Sequence, residues 1–246
     1  MKISIITVTF NSEKTVRTTL QSVASQTWHD VEHIIVDGAS SDSTLSIVDD
    51  FNHISMIVSE TDKGIYDAMN KGIKKATGDI IGFLNSDDWF DNKNILKEIA
   101  EEFVKKDLDA VYGDLVFVKD ENDIKPKRKW ISNKYKENLF STGWVPPHPT
   151  FYAKLDVYER YGLFNSNLKF AADFDIMCRF IAKEQIRIKY LPGTKVRMRL
   201  GGATTKSIKN IILGNIEIYN SLRNNGVKIS PLFFFKKVYT KLKQFK

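Results

Sequence analysis

Ile80-Ile81-Gly82-Phe83-Leu84-Asn85-Ser86-Asp87-Asp88 reads as a short buried strand stopped by a polar turn, and it repeats a figure the chain has already used three times. Ile3 to Thr9 is a β-branched, apolar run that ends at Phe10-Asn11-Ser12. Val31 to Val36 ends at Asp37-Gly38, and Ile54 to Val58 ends near Glu60-Thr61-Asp62. After each run the apolar pattern takes a helical period. Val16, Leu20, Val23 and Ala24 share one face, Leu45, Ile47 and Val48 mark a second helix, Ile65, Met69, Gly72, Ile73 and Ala76 a third, and Ile95, Ile99 and Phe103 a fourth. Asn11 or Ser12, and Ser41-Asp42, stand where the caps of the first two helices belong. Strands alternating with helices at this spacing predict βα units and a mostly parallel sheet.

In the second half of the chain the pattern is less regular. Ala110 to Val118 and Ile186 to Leu191 predict strands and Phe174 to Lys183 a helix, while Trp144-Val145-Pro146-Pro147-His148-Pro149 is too rich in proline for either and predicts a shaped loop. There is no internal repeat and no linker. The 246 residues, 42% hydrophobic and 27% charged, suit one α/β core with a helical tail from about Lys206, and exclude collagen-like, low-complexity and wholly disordered chains. The single cysteine, Cys178, makes no internal disulfide, and no Cys/His spacing suits zinc, so a reducing, cytoplasmic setting is expected. The first ten residues lack the features of a signal peptide, and no apolar run is long enough to span a membrane.

The net charge of +7 comes entirely from the end of the chain, because residues 218–246 hold seven Lys/Arg and no acid. A neutral body with a basic tail points to a docking surface rather than a basic groove, and with no helix-turn-helix, RNP or zinc-finger pattern no nucleic-acid partner is expected.

Ligands of open α/β sheets gather beyond the carboxyl ends of the strands, where this chain places Thr9, Asn11, Asp37, Asp62 and Asn85 to Asp88. Asp87-Asp88 reads either as a turn or as the ligand set of a hard divalent cation that bridges substrate phosphates. Asp37-Gly38 is equally a turn or an acceptor for a base or ribose donor. With neither GxGxxG nor GxxxxGK[ST] present, the dinucleotide and P-loop readings lose their support, and phosphates here would need a metal. Asp173 and Asp175 open a later helix and point in different directions, so at most one of them faces a site. His148 is held among three prolines, and Lys63 precedes a helix start. Each has a packing or solvated alternative.

Four separated motifs, Ile3 to Asn11, Ile35 to Thr44, Asp62 to Gly72 and Gly82 to Asp88, occur in an order that resembles the family 2 glycosyltransferases of GT-A fold. The likeness runs over roughly residues 1–200. It implies a nucleotide-sugar donor, usually UDP-linked, with Mg²⁺ or Mn²⁺. By this resemblance Thr9 and Asn11 would line the nucleotide site, Asp37 would bind the base and Lys63 would lie near the nucleotide. Asn85-Ser86-Asp87 takes the place of the family's Asp-x-Asp motif. Asn85 replaces the first acid there and leaves the metal to Asp87, with Asp88 beside it. Asp173 looks like the catalytic base of an inverting transfer. Gly201-Gly202 with Thr204 resembles a mobile loop near donor and acceptor, and Trp144 and His148 are acceptor candidates.

The expected organisation is a GT-A domain over 1–205, its nucleotide half about 1–120 and its acceptor half about 121–205, followed by a basic helical tail over 206–246. Lysines mixed with aromatics in Pro231 to Lys246 suit a helix lying on an anionic membrane, peripheral to the inner face of a cell membrane, where a glycan or lipid-linked acceptor would be met. The alternative for the tail is packing on the domain. Competing functions are a nucleotidyltransferase, disfavoured because Thr9-Phe10-Asn11-Ser12-Glu13 is not a glycine-rich basic loop, and a non-enzymatic membrane-docking module.

Overall fold

The computed structural model describes residues 1–123, 125–201 and 207–244. The first half follows the expected alternation: β1 (Ile3–Thr9), α1 (Val16–Ala24), β2 (Val31–Asp37), α2 (Thr44–Asp49), β3 (Ile54–Ser59), α3 (Ile65–Lys75) and β4 (Ile80–Phe83). Then come β5 (Trp89–Phe90), α4 (Ile95–Lys105), β6 (Ala110–Val118), β7 (Arg128–Trp130), β8 (Tyr152–Lys154), α5 (Leu155–Tyr161), α6 (Ala172–Cys178), β9 (Ile188–Arg199), α7 (Ile208–Asn224) and α8 (Phe233–Lys243). The strands form one sheet in the order β3-β2-β1-β4-β8-β6-β9-β5, with β7 paired to β6 beyond the short β8.

β1 is buried along its whole length because it lies between β2 and β4 with helices on the faces. Both pairings are parallel, with Ile3 opposite Val31 on one side and Ile80 on the other. Its side chains divide with the period of two expected of a strand: Ile3 and Ile5 join a cluster with Ile80, Ile95 and Ile99, while Ile6 and Val8 join the larger cluster with Met69, Ile73 and Phe83. Each fully buried Ile or Phe is worth about 1.5–3 kcal/mol. β3, at the edge, leaves Met56 and Ile57 exposed. Two residues depart from their expected helix faces. Ala24 ends α1 in solvent, and Ile65 opens α3 on the rim of a cleft.

β8 runs antiparallel to β4 and β6, and β6 and β9 are parallel. β9 is twelve residues long, well beyond the expected end at Leu191, since Pro192-Gly193 bends the strand without ending it. Gly193 takes φ +91°, the register against β6 slips around Asp114, and the Asp114 carboxylate accepts from Gly193 N at 3.1 Å and Tyr190 Oη at 2.8 Å. The proline-rich loop forms a short 3₁₀ turn, His148–Thr150.

The tail is built into the molecule. Leu222 of α7 and Phe233 of α8 are buried in the larger cluster, and the Gln244 carbonyl accepts from Lys129 N at 2.8 Å. No helix among the described residues is long and apolar enough to cross a membrane. Cys178 is buried, and burial pushes its thiol up to about 12, where it is inert.

Candidate active site

From β1 the chain moves outward to β2 and β3, then returns to place β4 on the other side of β1. This change of direction leaves a crevice at the carboxyl ends of β1 and β4, the ligand-binding position of open α/β sheets. A cleft of about 1060 Å³ occupies it. Thr9 and Asn11 reach it from the end of β1, Asn85 to Asp87 from the end of β4, Tyr66 from α3, His148 from the proline loop and Asp173 from the start of α6.

The β1 side is a polar scaffold. Asn11 adopts φ +49°, a conformation asparagine tolerates, and its Oδ1 accepts from Ser41 N at 2.9 Å. Ser12 Oγ and Ser86 Oγ are 2.8 Å apart and tie the β1 turn to the β4 turn. Asp37 lies beneath this scaffold and is fully buried. Its carboxylate accepts from Thr9 Oγ1 at 2.9 Å, Ser40 N at 2.9 Å, Ser40 Oγ at 2.5 Å and Ser59 Oγ at 2.8 Å. Burial alone would raise its pKa, but these donors bring it below the ordinary value. Asp37 therefore braces the floor and is not among the residues that line the cleft, although its neighbour Gly38 is. Lys63 is exposed beside the cleft and not among its lining residues, whereas its neighbour Asp62 is.

At the end of β4 the two adjacent acids separate. Asp87 lines the cleft, and burial raises its pKa; among the described residues no Lys or Arg lies within ion-pair distance of it. Asp88 is fully buried behind the turn, where Asn85 Nδ2 donates to its Oδ2 at 3.1 Å and Thr19 Oγ1 donates to its main-chain carbonyl at 2.7 Å. Burial, and then the Asp87 charge, hold the Asp88 pKa well above the carboxylate range. Asp88 thus braces the turn and is not among the residues that line the cleft. Asp88 Oδ1 and Asn85 Oδ1 are buried without a hydrogen-bond partner. An unpaired cleft carboxylate beside an unpartnered amide oxygen is a hard oxygen donor set that fits a divalent cation. The described residues hold no cluster of three or more His, Cys, Asp or Glu able to bind a metal unaided, so substrate oxygens would have to complete the coordination.

Asp173 and Asp175 part as their spacing requires. Asp173 lines the cleft, accepts from Phe174 N at 2.8 Å and from Tyr66 Oη at 3.3 Å, and has its pKa raised by burial. Asp175 turns away into the core, where Ser221 Oγ of α7 donates to it at 2.8 Å. His148 lines the cleft between Phe83 and Phe164, with ring centroids 5.1 and 5.5 Å away, and burial pushes it down to about 4, so it is neutral near pH 7.

Trp144 does not reach the cleft. Its Nε1 donates to Ser132 O at 2.8 Å, and its ring packs among Tyr112, Tyr135 and Phe140. The cleft tryptophan is Trp130, which the sequence did not single out because β7 is only three residues long. Phe10, 64% exposed on the rim, and Tyr66 were also missed, although both lie inside motifs quoted above. Gly201 is exposed with φ +122° and is not among the lining residues; Gly202 and Thr204 lie outside the described residues.

A parallel half-sheet with an acid-bearing cleft at its switch point, extended by β6, β8 and β9, is the arrangement of GT-A nucleotide-sugar transferases. Residues 4–162 match the model of Glycosyl transferase family 2, and the chain belongs to that family. It is 29% identical over 193 residues to a PGL/p-HBAD biosynthesis glycosyltransferase of Mycobacterium bovis, covering 76% of this chain and 73% of that one. Among solved structures, Staphylococcus aureus TarS 1–349 in complex with UDP superposes with a TM-score of 0.71 at 22% identity, over 96% of this chain and 68% of that one. The mannosyltransferase PcManGT of Pyrobaculum calidifontis, in complex with GDP-Man and Mn²⁺, gives 0.67 at 19% identity, over 97% of this chain and 69% of that one. At these identities the two structures speak for the fold.

Proposed function

We propose that this glycosyltransferase moves a sugar, with inversion, from a UDP-linked donor to a hydroxyl of a glycan or lipid-linked acceptor in cell-surface polysaccharide assembly. The observation that carries this reading is that Asp87 and Asp173, supplied by β4 and α6, face one cleft while Asp88 and Asp175 are turned into the interior. Asp173 takes the proton of the acceptor hydroxyl as that oxygen bonds to the anomeric carbon, and the bond from that carbon to the diphosphate breaks, the electron pair leaving with the nucleotide. Burial makes Asp173 a stronger base than a solvated aspartate, and the Phe174 amide and Tyr66 hydroxyl fix its orientation. Asp87 would hold Mg²⁺ or Mn²⁺, whose chemistry is to neutralise charge on the leaving diphosphate. Thr9, Asn11, Asn85 and Ser86 shape the donor side, and Trp130 and the neutral His148 the remaining wall.

The acceptor's setting is read from the tail. Phe234, Phe235, Val238 and Tyr239 on α8 are exposed, as are Ile208, Ile212 and Ile216 on α7, and the surrounding charge is basic. Apolar side chains among lysines suit peripheral docking on anionic lipid. The deciding experiment is a thermal-shift panel of UDP, GDP, dTDP and CMP with and without Mn²⁺. A Mn²⁺-dependent shift with UDP, absent in Asp87→Ala, is the expected result. A flat panel from folded protein would defeat the reading.

A further inference from the structure

Glu217 is the only acidic residue after Glu184 in the chain. It sits on α7, outside every motif that carried the family likeness, and it grips the segment that presents Asp173. Its carboxylate accepts three hydrogen bonds from consecutive main-chain amides, Lys169 N at 2.9 Å, Phe170 N at 2.8 Å and Ala171 N at 3.0 Å. Lys169 and Phe170 line the cleft, and the Ala171 carbonyl accepts the first helical bond of α6, from Asp175 N at 2.9 Å. One turn further along α7, Ser221 Oγ donates to Asp175. The two ends of the segment that carries Asp173 are therefore both held by α7.

We propose that Glu217 is a positioning residue for sugar transfer, holding the 169–171 main chain so that the Asp173 carboxylate meets the acceptor hydroxyl. The inference rests on the reading of Asp173 as the base. Three successive amides converge on one point only in a turn whose donors would otherwise be unpaired, and a carboxylate satisfies all three with bonds stronger than neutral acceptors give. Two of the bonds fall on Oε2 and one on Oε1. Glutamine cannot reproduce that set. With its oxygen on Phe170 and Ala171, its NH₂ opposes the Lys169 N–H, donor against donor. Tyr66, the side chain that donates to Asp173, does so through a long bond of 3.3 Å, which steadies the carboxylate only while the 169–171 segment is held in place.

The donor side is built on β1 and β4 and does not depend on this clamp. Loss of Glu217 should therefore act on turnover and spare donor binding. A displacement of the base by about 1 Å costs on the order of 100-fold in rate.

The test uses full-length protein and the Glu217→Gln variant in two arms. In the first, hydrogen–deuterium exchange is read on peptides covering residues 167–176. Exchange at 169–171 at least about tenfold faster in the variant, with β1, β4 and the UDP–Mn²⁺ thermal shift unchanged, is expected; unchanged exchange overturns the proposal. In the second, UDP release is followed with UDP-glucose, UDP-galactose and UDP-GlcNAc in turn. The expected result is kcat lower by about 10- to 100-fold with donor KM within about twofold. Unchanged kcat overturns the proposal, and so does a joint collapse of kcat, UDP binding and melting temperature, which would mark Glu217 as a general stability element. Wild-type protein that releases no UDP from any donor would count against the transferase reading, while the exchange arm would still decide whether Glu217 holds the segment.

Discussion

Replacing Asp173 by Asn keeps the size of the side chain and removes its basicity. Asp173→Asn should keep the UDP–Mn²⁺ thermal shift and lose transfer by at least about 100-fold, the scale of general-base catalysis. Normal turnover in that variant would show that the base is elsewhere. Because burial raises the Asp173 pKa, the acid limb of the kcat profile should lie above the ordinary aspartate value of 3.8. Glu32 and His33, neighbours on β2, set the response of the fold to acid. Burial opposes ionisation of Glu32, but donors from Ser4, Thr77 and Lys2 bring it from 4.5 down to about 2. Its folded pKa is below its unfolded one, so its contribution is complete above about pH 4.5 and is lost as pH falls toward 2. Burial and then His53 press His33 from 6.5 down to about 3, so stability also falls as pH drops below 6.5. Glu32→Gln should therefore cost about 1–3 kcal/mol in urea unfolding at pH 7 and much less near pH 2. An equal cost at both pH values would defeat this account.

The strands and helices of the first half were legible because each is long enough to show a period. β1, α3 and α4 begin where their apolar patterns begin, and β6 spans its expected residues. β5, β7 and β8 have two or three residues each, too few for alternation to appear, and they exist because the edges of β9, β6 and β4 offer unpaired groups. β8 also gives Gly82 its reason. A Cβ on Gly82 of β4 would lie 2.1 Å from Tyr152 Cε1 of β8, inside a fully buried ring. Gly82→Ala should thus cost about 1–3 kcal/mol or more in a denaturant titration, with the cleft residues left chemically intact. Extended β9 was hidden by Pro192-Gly193, which normally ends a strand and here bends one, with Asp114 of β6 accepting the freed Gly193 amide.

At the scale of the molecule, α7 and α8 belong to the core on one side and to solvent on the other. Phe233 is 1% exposed and Phe235 is 77% exposed, so deleting the tail would open the core, while charging its outer face would not. The double variant Phe235→Asp, Val238→Asp should keep the wild-type melting temperature and lose sedimentation with anionic liposomes, and wild-type binding should weaken as salt rises. Unaltered sedimentation of the variant would defeat the membrane reading. The periodicity of the first 120 residues and four spaced motifs determined the α/β class, the parallel half-sheet and the rim on which Thr9, Asn11 and Asn85 to Asp87 lie, because period and strand ends are local properties of a chain. Only the tertiary structure decided which member of each polar pair meets the cleft. Asp87 faces it and Asp88 does not, Trp130 replaces Trp144, Asp37 sinks beneath the floor, and Glu217 comes from far along the chain to hold the Asp173 segment. Those outcomes depend on which distant element offers a hydrogen-bond donor or a wall, and such partners leave no mark on the neighbouring sequence.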